Sequence, residues 1–253
     1  MFAYRYIVSL LVALWSFQLA AEEPVVLIVG LEKQPYAPYH YYRDGVPHGY
    51  AKEVIDAFAE YSGYRVEYRA FSINELFHQL ISRQIDFKYP DNPYWQHPLK
   101  SGVRIAYSDP VAPYVDGVTM SVSRKGTGLK QLNRLGILSG FTPLNYQYLS
   151  DNGQLSLIEK DSLVQLFEAF FKGEIDGVYG NVDVVLALAK SKYSDRGELF
   201  WNQRLPYVAQ FYRVSTASKP RLLKVFDQFL LENAEQMKQL REKYQIFGVE
   251  HRR

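Results

Sequence analysis

Residues 65–89, RVEYRAFSINELFHQLISRQIDFKY, change their hydrophobic period twice within one short stretch. From Arg65 to Phe71 the pattern alternates, with Val66, Tyr68 and Ala70 set against Arg65, Glu67 and Arg69, the mark of a half-buried strand. Ser72 followed by Glu75 has the spacing of a capping box, in which each side chain satisfies the other's free backbone N–H at a helix start. Ile73, Leu76, Phe77, Leu80 and Ile81 then repeat at helical spacing, and Asp86 to Tyr89 reads as a second, short strand. Strand, helix and strand joined by connections this short predict a parallel α/β unit.

The same alternation extends outward in both directions. Upstream, Pro24 to Gly30 (PVVLIVG) reads as a buried strand and 32–47 as a loop rich in Pro, Tyr and Gly. A helix is predicted from about Tyr50 to Ser62, closed by Gly63. Downstream, 118–123, 136–138, 155–158, 175–179 and 206–214 read as strands. Between them lie helices at 162–172 and 181–190, a turn and helix from Ser139 to about Leu149, and one long closing helix over 220–244. Element order recurs in the two halves, but no sequence repeat is visible. Two Pro-containing connections, 109–117 (DPVAPYVDG) and 203–209 (QRLPYVA), read as crossovers. They divide the chain into one lobe of 22–112 plus 210–253 and a second, continuous lobe of 113–209, with the ligand between them and the connections as hinge.

The N-terminus, MFAYRYIVSLLVALWSFQLAAEEP, carries Arg5, an apolar run from Tyr6 to Phe17, and the small-residue stretch Leu19-Ala20-Ala21. This is the grammar of a secretory signal peptide, residues 1–21, cut after Ala21 or after Ala20. A spanning helix needs about 20 apolar residues, which weighs against an uncleaved anchor. The expected product is exported, soluble and periplasmic. With no cysteine, neither a lipoprotein anchor nor a disulfide framework is available. Without Arg5, 28 basic residues stand against 27 acidic ones. That balance, with no basic cluster, speaks against nucleic acid and anionic membranes as partners. The 21 Tyr, 15 Phe and 3 Trp suit a ligand cleft as well as a core. The five His show no ligand spacing and no nucleophile or phosphate-loop motif occurs, so no metal, cofactor or catalytic residue is expected.

Several short motifs resemble one family. Tyr36-Ala37-Pro38-Tyr39, Asp44-Gly45 and Gly49-Tyr50-Ala51-Lys52-Glu53-Val54 resemble the opening "Y-x-P-F … G-x-x-x-G-F-x-x-D-L" of the periplasmic solute-binding proteins of family 3, the polar amino-acid receptors of ABC importers. Ile105 to Pro110 is similar to "v-x-F-S-x-P-Y", Leu138 to Thr142 to "v-x-x-G-T/S-T", Gly173 to Val178 to "G-x-x-D-A-v", and Leu240 to Gly248 to "i-x-x-K-w-f-G". The motifs fall in order across 25–248. The resemblance implies an α/β, two-lobe, type II binding protein with two hinge crossovers. It also implies a monomer with a small-molecule ligand, working with an ABC permease in the inner membrane or a sensor. A runner-up is an enzyme on the same fold, like the periplasmic cyclohexadienyl dehydratases, for which Asp91, Asp183 and Glu32 are the candidate acids.

The family places an Arg before its "F-S-x-P" segment to grip a carboxylate; here Ser101 stands there beside Lys100, a point charge without the fork. Its Asp for the ligand's amino group falls at Asn181. Losing a charge-assisted contact on each side costs about 1.5–3 kcal/mol apiece, so simple α-amino acids are expected to bind worse than about 100 μM. The better ligand is expected to suit Lys100, Asp91 and the Thr142 helix N-terminus, with an aromatic-friendly body. Candidate ligand contacts are Tyr36 and Tyr39 on the loop after the first strand, which otherwise pack as a surface loop. Asp91 and Asn92 are polar contacts or Asx-turn residues, and Trp95 is a ligand or lid contact. Gly140, Phe141 and Thr142 form an anion-binding helix start or a plain N-cap. Lys88 faces the cleft or snorkels. Glu53 is expected to be structural.

Overall fold

The computed structural model describes residues 25–249, so the expected signal peptide lies outside the described residues. The chain opens with β1 (Val26–Glu32), a hairpin of β2 (Tyr41–Arg43) and β3 (Val46–His48), helix α1 (Tyr50–Ser62), β4 (Arg65–Phe71), α2 (Ile73–Ile81) and β5 (Phe87–Asp91). The hairpin falls inside the predicted loop; Asp44 and Gly45 both have positive φ, 52° and 76°, as a two-residue hairpin turn requires. Gly63 closes α1 at φ 74°. Ser72 and Glu75 form the capping box, the Ser72 N–H donating to Glu75 Oε2 at 3.0 Å.

After α3 (His97–Lys100) and β6 (Ala106–Tyr107), β7 (Ala112–Ser121) leads into β8 (Arg134–Leu138), α4 (Gln147–Asp151), β9 (Ser156–Lys160), α5 (Leu163–Phe171), β10 (Gly177–Asn181) and α6 (Val182–Lys192). Strands β11 (Leu199–Trp201) and β12 (Val208–Thr216) return the chain to α7 (Pro220–Glu232) and α8 (Ala234–Lys243). The long closing helix predicted from sequence is two helices. Asn233 separates them with φ −110° and ψ 29°, and its side-chain Nδ2 donates to Phe229 O at 3.0 Å. An Asn that hydrogen-bonds its own backbone competes with the helix ladder.

The sheet runs β4-β1-β5-β12-β7-β10-β8-β9. Strands β4, β1 and β5 are parallel, and so are β9, β8 and β10; the antiparallel pair β12 and β7 joins the two sets. Both crossovers are therefore strands of one ladder, with Val208 opposite Asp116 and Tyr212 opposite Ala112.

Each lobe repeats one local device that sequence comparison of the halves does not show. The Asp86 side chain accepts the Ile28 N–H at 3.0 Å, and Asp176 accepts the Asn133 and Arg134 N–H groups at 3.0 and 2.8 Å. In both lobes an Ile-Asp pair thus pins the start of the third strand to the first. Behind it the Ile side chain packs directly on a glycine. A Cβ on Gly30 would sit 2.6 Å from Ile85 Cδ1, and one on Gly136 2.3 Å from Ile175 Cδ1. The two ends of the family-like pattern also meet in space: Glu53 on α1 accepts from Lys243 Nζ at 2.7 Å and from the Tyr244 hydroxyl, holding the C-terminal helix. Glu53 is structural, as expected.

Candidate ligand cleft

The carboxyl ends of β1, β5, β8 and β10 converge where the two parallel sets face one another, the place where open α/β sheets bind ligands. They border a narrow cavity of about 20 Å³, so the cleft is nearly shut, lined by Glu32, Tyr36, Ile73, Phe77, Pro90, Trp95, Asp116, Gly140, Phe141, Thr142 and Tyr212. The cleft is closed by hydrogen bonds between the lobes. Gln96, in the loop after β5, sits in the left-handed region at φ 46°. From there its N–H donates to Thr142 Oγ1 at 3.0 Å and its side-chain Nε2 to Gly140 O at 2.6 Å. On the other side of the cleft the Asn181 N–H donates to the Tyr36 hydroxyl at 3.2 Å.

The walls are aromatic. Tyr36 meets Phe141 edge-on at 6.2 Å, and Trp95 lies 5.8 Å from Tyr212, which stacks on Tyr114 at 4.3 Å. Of the ten candidate contacts, Tyr36, Trp95, Gly140, Phe141 and Thr142 line this space. Tyr39 is fully buried behind it, edge-on to Tyr212, with its hydroxyl on Pro113 O at 3.0 Å. Asn181 is buried at the start of α6, where its Oδ1 caps the Asp183 and Val184 N–H groups and its Nδ2 donates to the Tyr212 hydroxyl at 3.0 Å. It orients a wall residue.

Asp91, Asn92 and Lys100 form a buried knot beneath the cleft. Asp91 is fully buried, receives the Ser215 hydroxyl at 2.6 Å, and has Lys88 Nζ at 3.5 Å and Lys100 Nζ at 3.8 Å. Lys100 also donates to Asn92 O at 2.9 Å and to the Tyr107 hydroxyl at 2.8 Å. Burial brings its ammonium down to about 8, against the opposing pull of Asp91. Lys88 donates to Pro90 O and lies 4.2 Å from the Phe77 ring centre. Ser101 is exposed. The turn at Thr142 is not a helix start: α4 begins at Gln147, the Phe141 N–H is committed to Leu138 O at 2.9 Å, and Pro143 has no N–H to offer.

Two carboxyl groups that the motifs did not point to as ligand contacts face the cleft. Burial pushes Glu32 up to about 7, partly opposed by Lys88, and pushes Asp116 up to about 8 with a further contribution from Glu32. Neighbouring His40 is fully buried, its Nε2 4.0 Å from Glu32 Oε2, and burial holds it down to about 3, so the imidazole is neutral. Asp116 Oδ1 is buried with no hydrogen-bond partner among the described residues. The one sequence signal for Asp116 is an acid inside an otherwise apolar crossover, Val115-Asp116-Gly117-Val118. Phe77 and Tyr212 carry no such signal, because a cleft wall and a core have the same residue pattern.

This architecture is a two-lobe solute-binding fold. Residues 27–248 match the model of the bacterial extracellular solute-binding proteins, family 3, and the chain belongs to that family. An ancestral arginine-binding protein bound to arginine is similar over 87% of this chain and 97% of its own, with 18% identity and a TM-score of 0.71. A histidine kinase sensor domain with similarity to periplasmic binding proteins is similar over 87% and 96%, at 20% identity and a TM-score of 0.72. The solute receptor for L-cysteine of Neisseria gonorrhoeae is similar over 87% and 89%, at 16% identity and a TM-score of 0.70. No curated protein matches the sequence. Among the described residues no helix is long and apolar enough to cross a membrane.

Proposed function

We propose that this chain is a periplasmic solute receptor, exported behind residues 1–21, which closes over one small polar solute and presents it to an ABC permease or a sensor. Its lobes are 22–112 plus 210–253 and 113–209, it acts as a monomer, and it does no chemistry on the solute. The observation that carries this reading is the closed, aromatic-walled cleft with its Gln96 latch to Gly140 and Thr142. A latch made of neutral hydrogen bonds, each worth about 0.5–1.5 kcal/mol net, can open and close with ligand. A thermal-shift screen over amino acids, amines, organic acids and oligopeptides tests it. One class is expected to raise the melting temperature in proportion to the logarithm of its concentration, with a smaller radius of gyration on binding. No stabilisation by any class would refute the receptor reading.

Glu32 and Asp116, carboxyls that keep their protons near neutral pH, favour a second reading as a dehydratase-like enzyme with a general acid. Prephenate and arogenate are anionic at their carboxylates, and among the described residues no cationic side chain lines the cleft. Turnover of either compound by the purified protein would establish the enzyme.

A further inference from the structure

The charge balance of the cleft narrows the ligand beyond a small polar solute, and this step rests on the receptor reading above. Every cationic side chain near the site is committed elsewhere: Lys88 to Pro90 O and Asp91, Lys100 to Asn92 O, Tyr107 and Asp91. The Gly140–Thr142 turn is likewise engaged by Gln96. The groups that face the enclosed space and have not been used are carboxyls.

Asp116 occupies a telling position. Asn181 stands where the resemblance expects the Asp that meets an amino group, and its amide is spent on capping α6 and on Tyr212. Directly opposite Asn181 in the antiparallel ladder between β10 and β7 is Asp116. Opposed residues of such a pair place their side chains on the same sheet face about 4.5–5.5 Å apart. The carboxyl beside Asn181 is thus the one on the crossover strand. It is 5% exposed, and its Oδ1 lacks a hydrogen-bond partner among the described residues although it borders the cavity. A buried acceptor without a donor is unfavourable unless a ligand supplies one. Glu32 borders the same cavity. Five of the other nine lining residues are the aromatic Tyr36, Phe77, Trp95, Phe141 and Tyr212, whose faces attract a cation and its hydrocarbon stem.

We propose that the cleft binds a small organic amine without a carboxylate, its ammonium held between Asp116 and Glu32 and its carbon body against the aromatic walls. An α-carboxylate would be buried beside two acids in a cleft that no cationic side chain lines among the described residues, without the donors that such a group requires when buried.

Matched pairs that differ by the carboxylate test this by calorimetry on the mature protein: cadaverine against lysine, agmatine against arginine, tyramine against tyrosine, histamine against histidine. Glucose and succinate represent the neutral and anionic classes. At least one amine is expected to bind ten-fold or more tightly than its parent amino acid. Asp116→Asn and Glu32→Gln are each expected to weaken that amine ten-fold or more, while neither apo variant melts below the wild type. An amino acid that binds as tightly as its amine, or amine binding untouched by both substitutions, overturns the inference. Binding confined to glucose or succinate also overturns it but leaves the receptor reading standing. No binding by any probe defeats both.

Discussion

Lys88 shows how little a charged residue's identity says about its task. Its ammonium is fully buried, yet it serves Asp91, Pro90 O and the ring of Phe77, and holds the floor of the cleft in place. Asp91 compensates two buried ammonium groups at once, and removing one partner of such a set leaves an uncompensated charge in a poor solvent. Asp91→Asn is therefore expected to lower apo stability by about 3–5 kcal/mol, seen as a lower urea midpoint. Unchanged apo stability together with lost ligand binding would instead make Asp91 a ligand contact. The same lesson holds for Asn181, which occupies a familiar slot but works as a helix cap and as the donor that orients Tyr212.

At the scale of elements, the strand ends and their loops border the cleft and the strands between them only aim those ends. The loop after β5 bends Gln96 into the left-handed region, and the loop after β8 turns through Gly140 at φ 88°. A Cβ on Gly140 would lie 2.6 Å from Asn74 Oδ1 and 3.0 Å from Ile73 Cγ2, groups belonging to the opposite lobe. Gly140→Ala thus meets two penalties, the left-handed backbone in every state and the contact with α2 only when the cleft is shut. It is expected to weaken ligand affinity by about ten-fold, a cost of about 1.4 kcal/mol on closure, and to enlarge the radius of gyration of the ligand-saturated protein. Scattering curves and affinities equal to wild type would show that Asn74 and Ile73 simply move aside.

Across the whole molecule, the buried acids of the cleft link stability to pH. In the unfolded chain a carboxyl loses its proton near pH 4. In the fold, Asp116 keeps its proton up to about 8 and Glu32 up to about 7. The folded protein then holds more protons than the unfolded chain, and stability falls as pH rises across that window. His40 has the opposite sign: burial holds it down to about 3, so its contribution is lost as pH falls below its ordinary value near 6.5. Because these groups overlap with the other carboxylates of the chain, the clean measurement is a difference between two proteins. Asp116→Asn and wild type are expected to melt together near pH 4. The variant should become progressively more stable up to about pH 8, by at most about 1.4 kcal/mol per unit. A melting-temperature gap independent of pH would mean that Asp116 ionises normally in the folded protein.

What could be read from the chain alone was whatever is written in local order. The period changes of 65–89, the Ser72 box and the Gly63 cap are decided by neighbours a few residues away. They gave α1, β4 and α2 nearly to the residue, and with them the α/β class. The family-like motifs were legible because some of their residues hold fixed joints, Asp176 the start of β8 and Glu53 the C-terminal helix. Tertiary structure alone decided which polar groups were left for a ligand. Whether Lys100, Asp91 or Asn181 is free depends on what stands opposite, and their partners Tyr107, Ser215 and Tyr212 come from other strands. Asp116 became a cleft residue because the ladder of β7 and β10 set it beside Asn181, 65 residues further along the chain. A pattern of local spacing has no means of recording such a meeting, since the free energy of a buried charge is set by the partners around it and not by its neighbours in sequence.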